Sequence, residues 1–153
     1  MTGDEVVEEW VARLEIRRCA EQYARAADTG DADLFIAQFA TPGVIEAPDA
    51  TYTGPEELRG VVVGLCSRFD ATFHGVLNQT AEIAGETADA QTYCLARHFF
   101  RDRKGAASCF EMTIRYHDEL VRNDGAWRFS RRRLEVIATQ RFPVHAGPTV
   151  KFG

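Results

Sequence analysis

A histidine within a predicted strand is the first residue whose type and setting point to chemistry. Because residues two apart on a strand share a face, His74, Val76, Asn78 and Thr80 are expected to line one side of the segment. Sites for small molecules combine apolar walls with a few polar groups, and histidine is the side chain most often used for proton transfer. The pattern also fits a histidine at the edge of the core that is held by a hydrogen bond, and the sequence leaves both interpretations open.

Asp28 is the second residue of interest, because it lies where a carboxylate is unfavourable. It falls at the end of the first predicted helix, where the helix dipole disfavours negative charge. Asp31 can cap the next helix, whereas Asp28 has no such local role. If Asp28 faces the pocket, it can orient the imidazole of His74 and stabilise its protonated form, as the aspartate of a hydrolytic triad does. A solvated aspartate in a turn is the alternative.

Other chemistries have weaker support in the sequence. His98 lies on the next predicted strand, while His117 and His145 fit structural or surface roles. No pair of histidines or cysteines has the spacing of a common metal motif, and the sequence lacks the glycine-rich loops of nucleotide-binding proteins and the serine elbow of hydrolases. We therefore expect acid–base chemistry by positioned side chains, without a metal ion or a cofactor.

Charge and composition narrow the partners. The 153 residues carry a formal net charge of −5, which argues against nucleic acid, because its binding proteins present a basic surface. Side chains alternate along a strand, so at least one of Arg131, Arg132 and Arg133 must point inward or pair. A buried salt bridge to Asp118 or Glu119 is expected, and an arginine that holds a leaving group or a carboxylate is the alternative. No apolar run is long enough to cross a membrane, and the acidic first residues do not resemble a secretory signal. We expect a cytoplasmic protein whose four cysteines stay reduced.

The first half of the chain shows helical periodicity. Residues 5–28 form the first predicted helix, whose apolar stripe comprises Ile16, Ala20, Tyr23, Ala24 and Ala27 and is extended towards the N-terminus by Trp10, Val11 and Leu14. A second helix is predicted over residues 32–40, with Phe39 on its apolar face, and Thr41-Pro42-Gly43 ends it. A third helix begins at Gly54-Pro55, because proline is favoured in a first turn.

The second half of the chain alternates as strands do. Two short strands precede the third helix and four long strands follow it, joined by turns of which Asn123-Asp124-Gly125 is the clearest. The predicted strands are residues 44–47, 51–53, 73–84, 88–101, 108–122 and 127–141. Helices followed by a long antiparallel meander predict an α+β fold in one domain.

Three stretches of the chain together resemble a known family. They are residues 23–31, His74 with Asn78 four residues later, and residues 116–122 followed by the turn and residues 127–129. On these residues the chain resembles the SnoaL-like branch of the nuclear transport factor 2 superfamily over about residues 8–142. In motif it is most similar to members of the scytalone dehydratase, hexachlorocyclohexane dehydrochlorinase and bile-acid dehydratase type.

The resemblance implies a fold and an oligomeric state. The fold is a cone-shaped α+β barrel: a strongly curved, mixed but mostly antiparallel sheet with three helices in the N-terminal half. The whole chain, residues 1–153, is then one domain, with residues 143–153 as an extended tail. Relatives of this kind imply a homo-oligomer, either a dimer or a trimer.

The resemblance also implies a site. It places an Asp–His dyad on Asp28 and His74 inside the cone, and makes Tyr23 a hydrogen-bond donor to a substrate oxygen. Further residues are expected to bind the substrate, and they are His98, Asn78, Arg132, Phe39, Phe110, Met112 and Tyr116.

These observations predict a cofactor-independent lyase that acts on an apolar, ring-like small molecule. Dehydration or another β-elimination is expected, with isomerisation and cyclisation as related reactions. Two alternatives share the fold. A non-catalytic module for small-molecule binding or dimerisation has no need of an Asp–His contact, and an accessory subunit of a ring-hydroxylating oxygenase requires an oxygenase partner.

Overall fold

The computed structural model describes residues 1–151, which form three helices and six strands. In chain order they are α1 (Gly3–Thr29), α2 (Ala32–Ala37), β1 (Phe39–Glu46), β2 (Thr51–Thr53), α3 (Gly54–Arg68), β3 (Ala71–Ala84), β4 (Thr87–Arg101), β5 (Ala107–Asn123) and β6 (Ala126–Pro143). The four predicted long strands and the first and third predicted helices are confirmed, with ends that differ by one or two residues.

α1 begins and ends at residues suited to helix termini. The Thr2 side chain accepts a hydrogen bond from the Glu5 amide while the Glu5 carboxylate accepts one from the Thr2 amide, which is a capping box. At the other end Gly30 adopts a left-handed conformation with φ of 71°, which glycine tolerates without strain. The predicted stripe is confirmed as buried, namely Ile16, Ala20, Tyr23, Ala24 and Ala27.

The predicted extension of this stripe towards the N-terminus is wrong. Trp10 and Leu14 are exposed by 63% and 67%. Arg13 and Arg17 instead face the sheet. The Arg13 guanidinium donates to the Ala81 carbonyl oxygen, and that of Arg17 donates to the carbonyl oxygens of Leu77 and Val76, earlier in β3. These hydrogen bonds fix the rotation of the helix and leave the apolar side chains of its first turns outside.

α2 is shorter than predicted, and the predicted helical position of Phe39 is wrong. The helix ends at Ala37, and Phe39 begins β1 as a direct partner of Phe129 in β6. The Gln38 carbonyl accepts a hydrogen bond from the Phe129 amide at 2.9 Å, so pairing with β6 starts where the sequence pattern still looks helical. Tertiary pairing has overridden local propensity here.

The strands form one curved, open sheet in the order β2-β1-β6-β5-β4-β3. β1 and β6 run parallel and the other neighbours run antiparallel, so the predicted mixed, mostly antiparallel sheet is confirmed. The strands at the two edges, β2 and β3, do not pair with each other, so the sheet does not close into the barrel that was predicted.

The helices cover one face of the sheet, which we call the inner face. Ile16, Phe35 and Leu58 bring the three helices into a core whose sheet side includes Leu120 and Phe129, and all five are at most 1% exposed. Each side chain of this size contributes about 1.5–3 kcal/mol when fully buried. The core thus holds α1 firmly against the inner face, which fixes the position of the Asp28 end of that helix.

The chain leaves the sheet after β6. The Val144 amide donates to the Ala107 carbonyl at 3.1 Å, and the following residues up to 151 lie outside the helices and strands. The last two residues of the predicted tail, Phe152 and Gly153, are outside the described part of the chain. Among the helices of residues 1–151, none is both long and apolar enough to cross a membrane.

Candidate active site

A bulge in β3 interrupts the alternation of its inward and outward side chains. His74 and Val76 pair with buried residues of β4, but the register shifts between Val76 and Gln79. Gln79 therefore turns inward and donates a hydrogen bond to a buried threonine of β4 at 2.9 Å. Asn78 and Thr80 are exposed, so the prediction that they share the face of His74 is wrong beyond Val76.

Cross-strand register brings the remaining candidates into two neighbouring rows. Residues paired across strands point to the same side of a sheet. One row consists of Thr72, His98, Phe110 and Arg141, and the next consists of His74, Ala96, Met112 and Thr139. Both histidines and the predicted Phe110 and Met112 thus lie on the inner face.

The carboxylate of Asp28 contacts the imidazole of His74. Nδ1 of His74 lies 2.6 Å from Oδ1 of Asp28, and the His74 backbone amide donates to Oδ2 at 2.9 Å. The side chains are 7% exposed for His74 and 22% exposed for Asp28, so this contact is largely shielded from water. The two residues lie 46 positions apart in sequence, and the packing of α1 against β3 brings them together.

The contact fixes the tautomer of the imidazole. A carboxylate accepts hydrogen bonds, so Nδ1 of His74 must carry the proton. In the neutral ring this leaves Nε2 with a free lone pair, which is the form needed to accept a proton. The arrangement has the same division of roles as the histidine and aspartate of a hydrolytic triad.

Thr72 is a third member of this group that the sequence reasoning missed. Its hydroxyl donates to Oδ1 of Asp28 at 2.9 Å, so the carboxylate receives hydrogen bonds from a hydroxyl, a backbone amide and an imidazole. Its position two residues before His74 on the same strand face was the available signal. A crevice of about 130 Å³, lined in part by Leu65, Cys66 and Phe69, opens next to Asp28.

His98 provides a second imidazole on the same face. Its ring centroid lies 5.9 Å from that of His74, with the rings nearly perpendicular. Nδ1 of His98 lies 3.1 Å from the Phe110 carbonyl oxygen, which can only accept, so Nδ1 is protonated and Nε2 is free. Burial lowers the pKa of His98, and the positive charge of Arg68 acts in the same direction, against the effect of the Phe110 hydrogen bond. His98 is therefore a neutral hydrogen-bond acceptor at pH 7.

Aromatic residues close the mouth of the inner face near His98. Phe69, which follows α3, has its ring centroid 4.8 Å from His98 and 6.3 Å from Phe100. Phe110 lies 5.7 Å from His98 on the other side. We call the mouth the group formed by Phe69, Phe100, Phe110, Thr139 and Arg141. The three phenylalanines are half-buried and the last two residues are exposed, so this group is the solvent-accessible end of the inner face.

Arg132 lies deeper in the core and forms the buried salt bridge that was predicted. Its guanidinium donates to both carboxylate oxygens of Asp118, at 2.8 and 3.1 Å, and the two side chains are 1% and 0% exposed. Burial acts to lower the pKa of Arg132, but the neighbouring Asp118, Tyr116 and Tyr23 together outweigh it and the pKa is raised. The arginine is permanently charged, and the Nε and Nη2 edge of its guanidinium is engaged by Asp118.

Tyr23 and Tyr116 enclose this guanidinium. The Arg132 carbon Cζ lies 4.3 Å from the Tyr23 ring centroid and 3.8 Å from that of Tyr116. Burial raises the pKa of Tyr23, against the opposing effect of Arg132, so its hydroxyl stays protonated. Phe39 belongs to the same cluster, 6.2 Å from Tyr23, and is core rather than part of the histidine rows.

Cys94 lies between the two groups but is not a nucleophile at neutral pH. It pairs with Val76 next to His74 and is 2% exposed. Burial raises its pKa to about 11, so the thiol is protonated. Within residues 1–151, no cluster of three or more histidine, cysteine or acidic side chains is placed to hold a metal ion.

The remaining histidines and the larger concavities lie elsewhere. His117 is on the outer face, where Nε2 contacts Oε2 of Glu135 at 2.6 Å, and His145 is exposed after β6. A polar concavity of about 490 Å³ also lies on the outer face, and its lining includes Glu82, Asp89 and Arg131. None of these residues belongs to the two rows that carry His74 and His98.

Comparison with solved structures finds the same fold in proteins of low sequence identity. A scytalone dehydratase-like protein from Novosphingobium aromaticivorans is 24% identical with a TM-score of 0.78, over 90% of this chain and 92% of that one. A hexachlorocyclohexane dehydrochlorinase, LinA-type3 from Novosphingobium barchaimii, is 17% identical with a TM-score of 0.81, over 93% and 98% of the two chains. A Mycobacterium tuberculosis protein of unknown function is 22% identical with a TM-score of 0.76, over 86% and 75%.

Sequence comparison identifies the family. Curated proteins include no significant match to the chain. A family model, described as the SnoaL-like domain, matches residues 8–133. This match covers most of the chain and agrees with the observed fold, so the chain belongs to the SnoaL-like domain family.

Proposed function

We propose that this protein is a cofactor-independent lyase that uses His74 as a general base on an apolar, ring-like substrate. The observation that carries the proposal is the contact of 2.6 Å between His74 and Asp28, which leaves Nε2 of the imidazole free. A module that only binds ligands does not require such a pair. Dehydratase and dehydrochlorinase activities among proteins of the same fold support an elimination reaction.

The proposed first step is removal of a proton from carbon. The proton of an acidified C–H bond passes to Nε2 of His74, and the electron pair of that bond forms a new carbon–carbon double bond. Asp28, kept in place by Thr72, stabilises the imidazolium that forms. The dry surroundings of the pair strengthen this charge interaction relative to water.

The bond to the leaving group breaks on the adjacent carbon. A leaving hydroxyl takes the proton from the His74 imidazolium and departs as water, which restores the neutral base, while the Tyr23 hydroxyl donates a hydrogen bond to the leaving oxygen. Tyr23 suits the donor role because burial raises its pKa and keeps the hydroxyl protonated. His98 suits the role of acceptor for a substrate hydroxyl, since its Nε2 is free.

Arg132 serves this site as a positioning residue in our proposal, instead of the substrate-binding role expected from the sequence. Its hydrogen bonds go to Asp118. Its guanidinium lies against the rings of Tyr23 and Tyr116 and so holds both tyrosines in one orientation. Asn78, exposed at the bulge, has no role in the proposed site.

The substrate enters at the mouth in this proposal. Phe110 and Met112 are half-buried on the rows that carry the two histidines, which supplies apolar contact beside the base. Planar rings suit this surface, because aromatic side chains favour offset or edge-to-face contact with them.

A cytoplasmic homo-oligomer is part of the same proposal. Trp10, Leu14, Phe73 and Ile137 are each more than half exposed, and exposed apolar surface of this kind marks contact with other molecules. Light scattering after size-exclusion chromatography distinguishes a dimer or trimer from a monomer. A monomer at micromolar concentration contradicts this part.

The experiment that tests the proposed function measures proton removal and elimination separately. Bicyclic and tricyclic ketones with a hydroxyl group β to the carbonyl are incubated in D₂O, where NMR follows exchange at the α-carbon and absorbance follows the enone product. The change His74→Gln is expected to lower both rates by about 10²–10⁴-fold. His117→Gln is the matched control, because His117 lies on the outer face.

The outcomes separate the two functions. Exchange that depends on His74 but not on His117 supports the lyase. Exchange rates equal to the background for every ketone, or unchanged in His74→Gln, contradict it and favour a non-catalytic binding module of the same fold.

A further inference from the structure

A cationic side chain stands at the mouth, on the same inner face as the two histidines. Arg141 pairs with Phe110, which in turn pairs with His98, so the three residues occupy one row. The row that contains His74 lies next to this row. His74 is on β3 and Arg141 is on β6, three strands away. At about 4.8 Å per strand, the separation measured along the sheet is about 14 Å.

Arg141 is held against aromatic rings and has no acidic partner. Its Cζ lies 5.5 Å from the centroid of Phe100 and 5.3 Å from that of Phe110. Several other arginines form salt bridges, but no carboxylate of residues 1–151 lies within 4.0 Å of the Arg141 guanidinium. The rings restrict the position of the Arg141 side chain without neutralising its charge, and the N–H donors of the guanidinium stay available to a ligand.

Arg68 adds a second positive charge at the same place. Its Cζ lies 5.9 Å from the ring centroid of Phe69, the phenylalanine that packs on His98 and Phe100. Its Nε donates to the Gly64 carbonyl, and within the described chain it too makes no salt bridge. Two free guanidinium groups therefore flank the aromatic cluster of a chain whose formal net charge is −5.

We propose that Arg141, assisted by Arg68, binds a carboxylate carried by the substrate, so that the substrate class is apolar ring acids. This inference rests on the proposed function and specifies its substrate. The ring system lies on Phe110 and Met112 with its reacting carbon at His74, and the carboxylate reaches the mouth. A planar guanidinium matches the two oxygens of a carboxylate. The side chains of His74 and Arg141 cover part of the separation between their backbones. Two or three fused rings span the remaining distance between the imidazole and the guanidinium.

The placement gives the charge a specific task. An anion is repelled by the net negative protein as a whole, so a local positive group is needed to attract and orient it. Binding energy from a remote group can position the reacting carbon without touching it. Arg141 thus acts as a specificity-determining residue, and the dyad performs the proton transfer.

The test compares acids with their neutral counterparts. Benzoate, 2-naphthoate and anthracene-2-carboxylate are titrated against the protein by calorimetry, each beside its primary amide. At least one acid is expected to bind about tenfold more tightly than its amide, a difference of roughly 1.4 kcal/mol. The change Arg141→Gln is expected to abolish that preference, and raised salt to weaken it. Arg103→Gln, in the turn before β5, is the control and should retain the preference.

Each result either supports or overturns the inference. An acid no tighter than its amide in the natural protein, a preference that survives in Arg141→Gln, or failure of every acid to bind overturns it. His74→Gln separates this test from that of the proposed function, because it should retain the preference for the acid. If the preference holds while turnover fails both for the ketones and for the same ketones carrying a carboxylate, the lyase proposal falls alone, and the opposite pattern removes only the carboxylate site.

Discussion

Removing the negative charge of Asp118 should destabilise the protein far more than removing an exposed acid. Asp118 is 0% exposed as a side chain and accepts three hydrogen bonds, two from Arg132 and one from the buried Thr92. Asp118→Asn keeps the shape but leaves the Arg132 charge buried without a counter-charge. Breaking a buried pair in this way costs about 3–5 kcal/mol.

The assay is urea unfolding at pH 7. With a slope of about 2 kcal/mol per molar urea, a loss of 4 kcal/mol lowers the midpoint by about 2 M. Contacts of the guanidinium with Tyr23 and Tyr116 remain in the variant, which places the expected loss at the lower end of the range. The same variant should also lose activity, because the two tyrosines lose their fixed support.

Asp33→Asn is the matched control. Its carboxylate pairs with Arg59 at the surface, and the two side chains are 85% and 51% exposed. Exposed pairs contribute little because water screens them, so no measurable change in the midpoint is expected. Similar midpoints for both variants would refute the view that the Asp118–Arg132 pair anchors the deep end of the inner face.

Three further predictions concern the neighbourhood of the dyad. Thr72→Val removes one donor to the Asp28 carboxylate and should lower the elimination rate about tenfold, whereas Thr72→Ser should retain most of it; equal rates in both variants argue against a positioning role. Burial lowers the pKa of His98, so the unfolded chain binds a proton at this residue more readily than the folded chain does. The free energy of unfolding should therefore fall as the pH drops below about 6.5, the ordinary pKa of histidine. Urea unfolding at pH 8 and pH 5 checks this, and His98→Gln should reduce the dependence on pH; an unchanged dependence assigns it to other groups. Cys66 is exposed, whereas Cys19, Cys94 and Cys109 are buried. One thiol per native chain should therefore react rapidly with a thiol-specific dye, and a second rapidly reacting thiol would contradict this.

Local patterns in the sequence were sufficient for the long elements and singled out Asp28 and His74 as candidates, whereas the family resemblance was needed to pair them. The stripe from Ile16 to Ala27 predicts which side of α1 is buried, and its spacing puts Asp28 at the end of that side. Alternation predicts that His74 points inward, because no irregularity precedes it in β3. A salt bridge between an arginine of residues 131–133 and Asp118 or Glu119 was expected, but the register shift between Glu119 and Leu120 decides that Arg132 pairs with Asp118.

What the sequence did not predict depends on pairing between distant segments. The bulge after Val76 turns Asn78 away from the inner face, and the local sequence contains no signal that predicts this bulge. The local sequence pattern places Phe39 in a helix, whereas pairing with β6 places it in a strand. Arg141 joins the row of His98 only through the registers of two hairpins, in which a single-residue slip would turn it to the outer face.

The tautomer of His74 shows whether its imidazole is prepared to act as a base. It is read from the nitrogen shifts of the imidazole in a long-range ¹H–¹⁵N NMR spectrum of the neutral ring. His74→Gln assigns the signals, and Asp28→Asn tests the partner. We expect a proton on Nδ1 and a free Nε2 in the natural protein, and a mixture of tautomers in the Asp28→Asn variant. A proton on Nε2 in the natural protein, or no change in Asp28→Asn, would contradict the claim that Asp28 prepares His74 to act as a base.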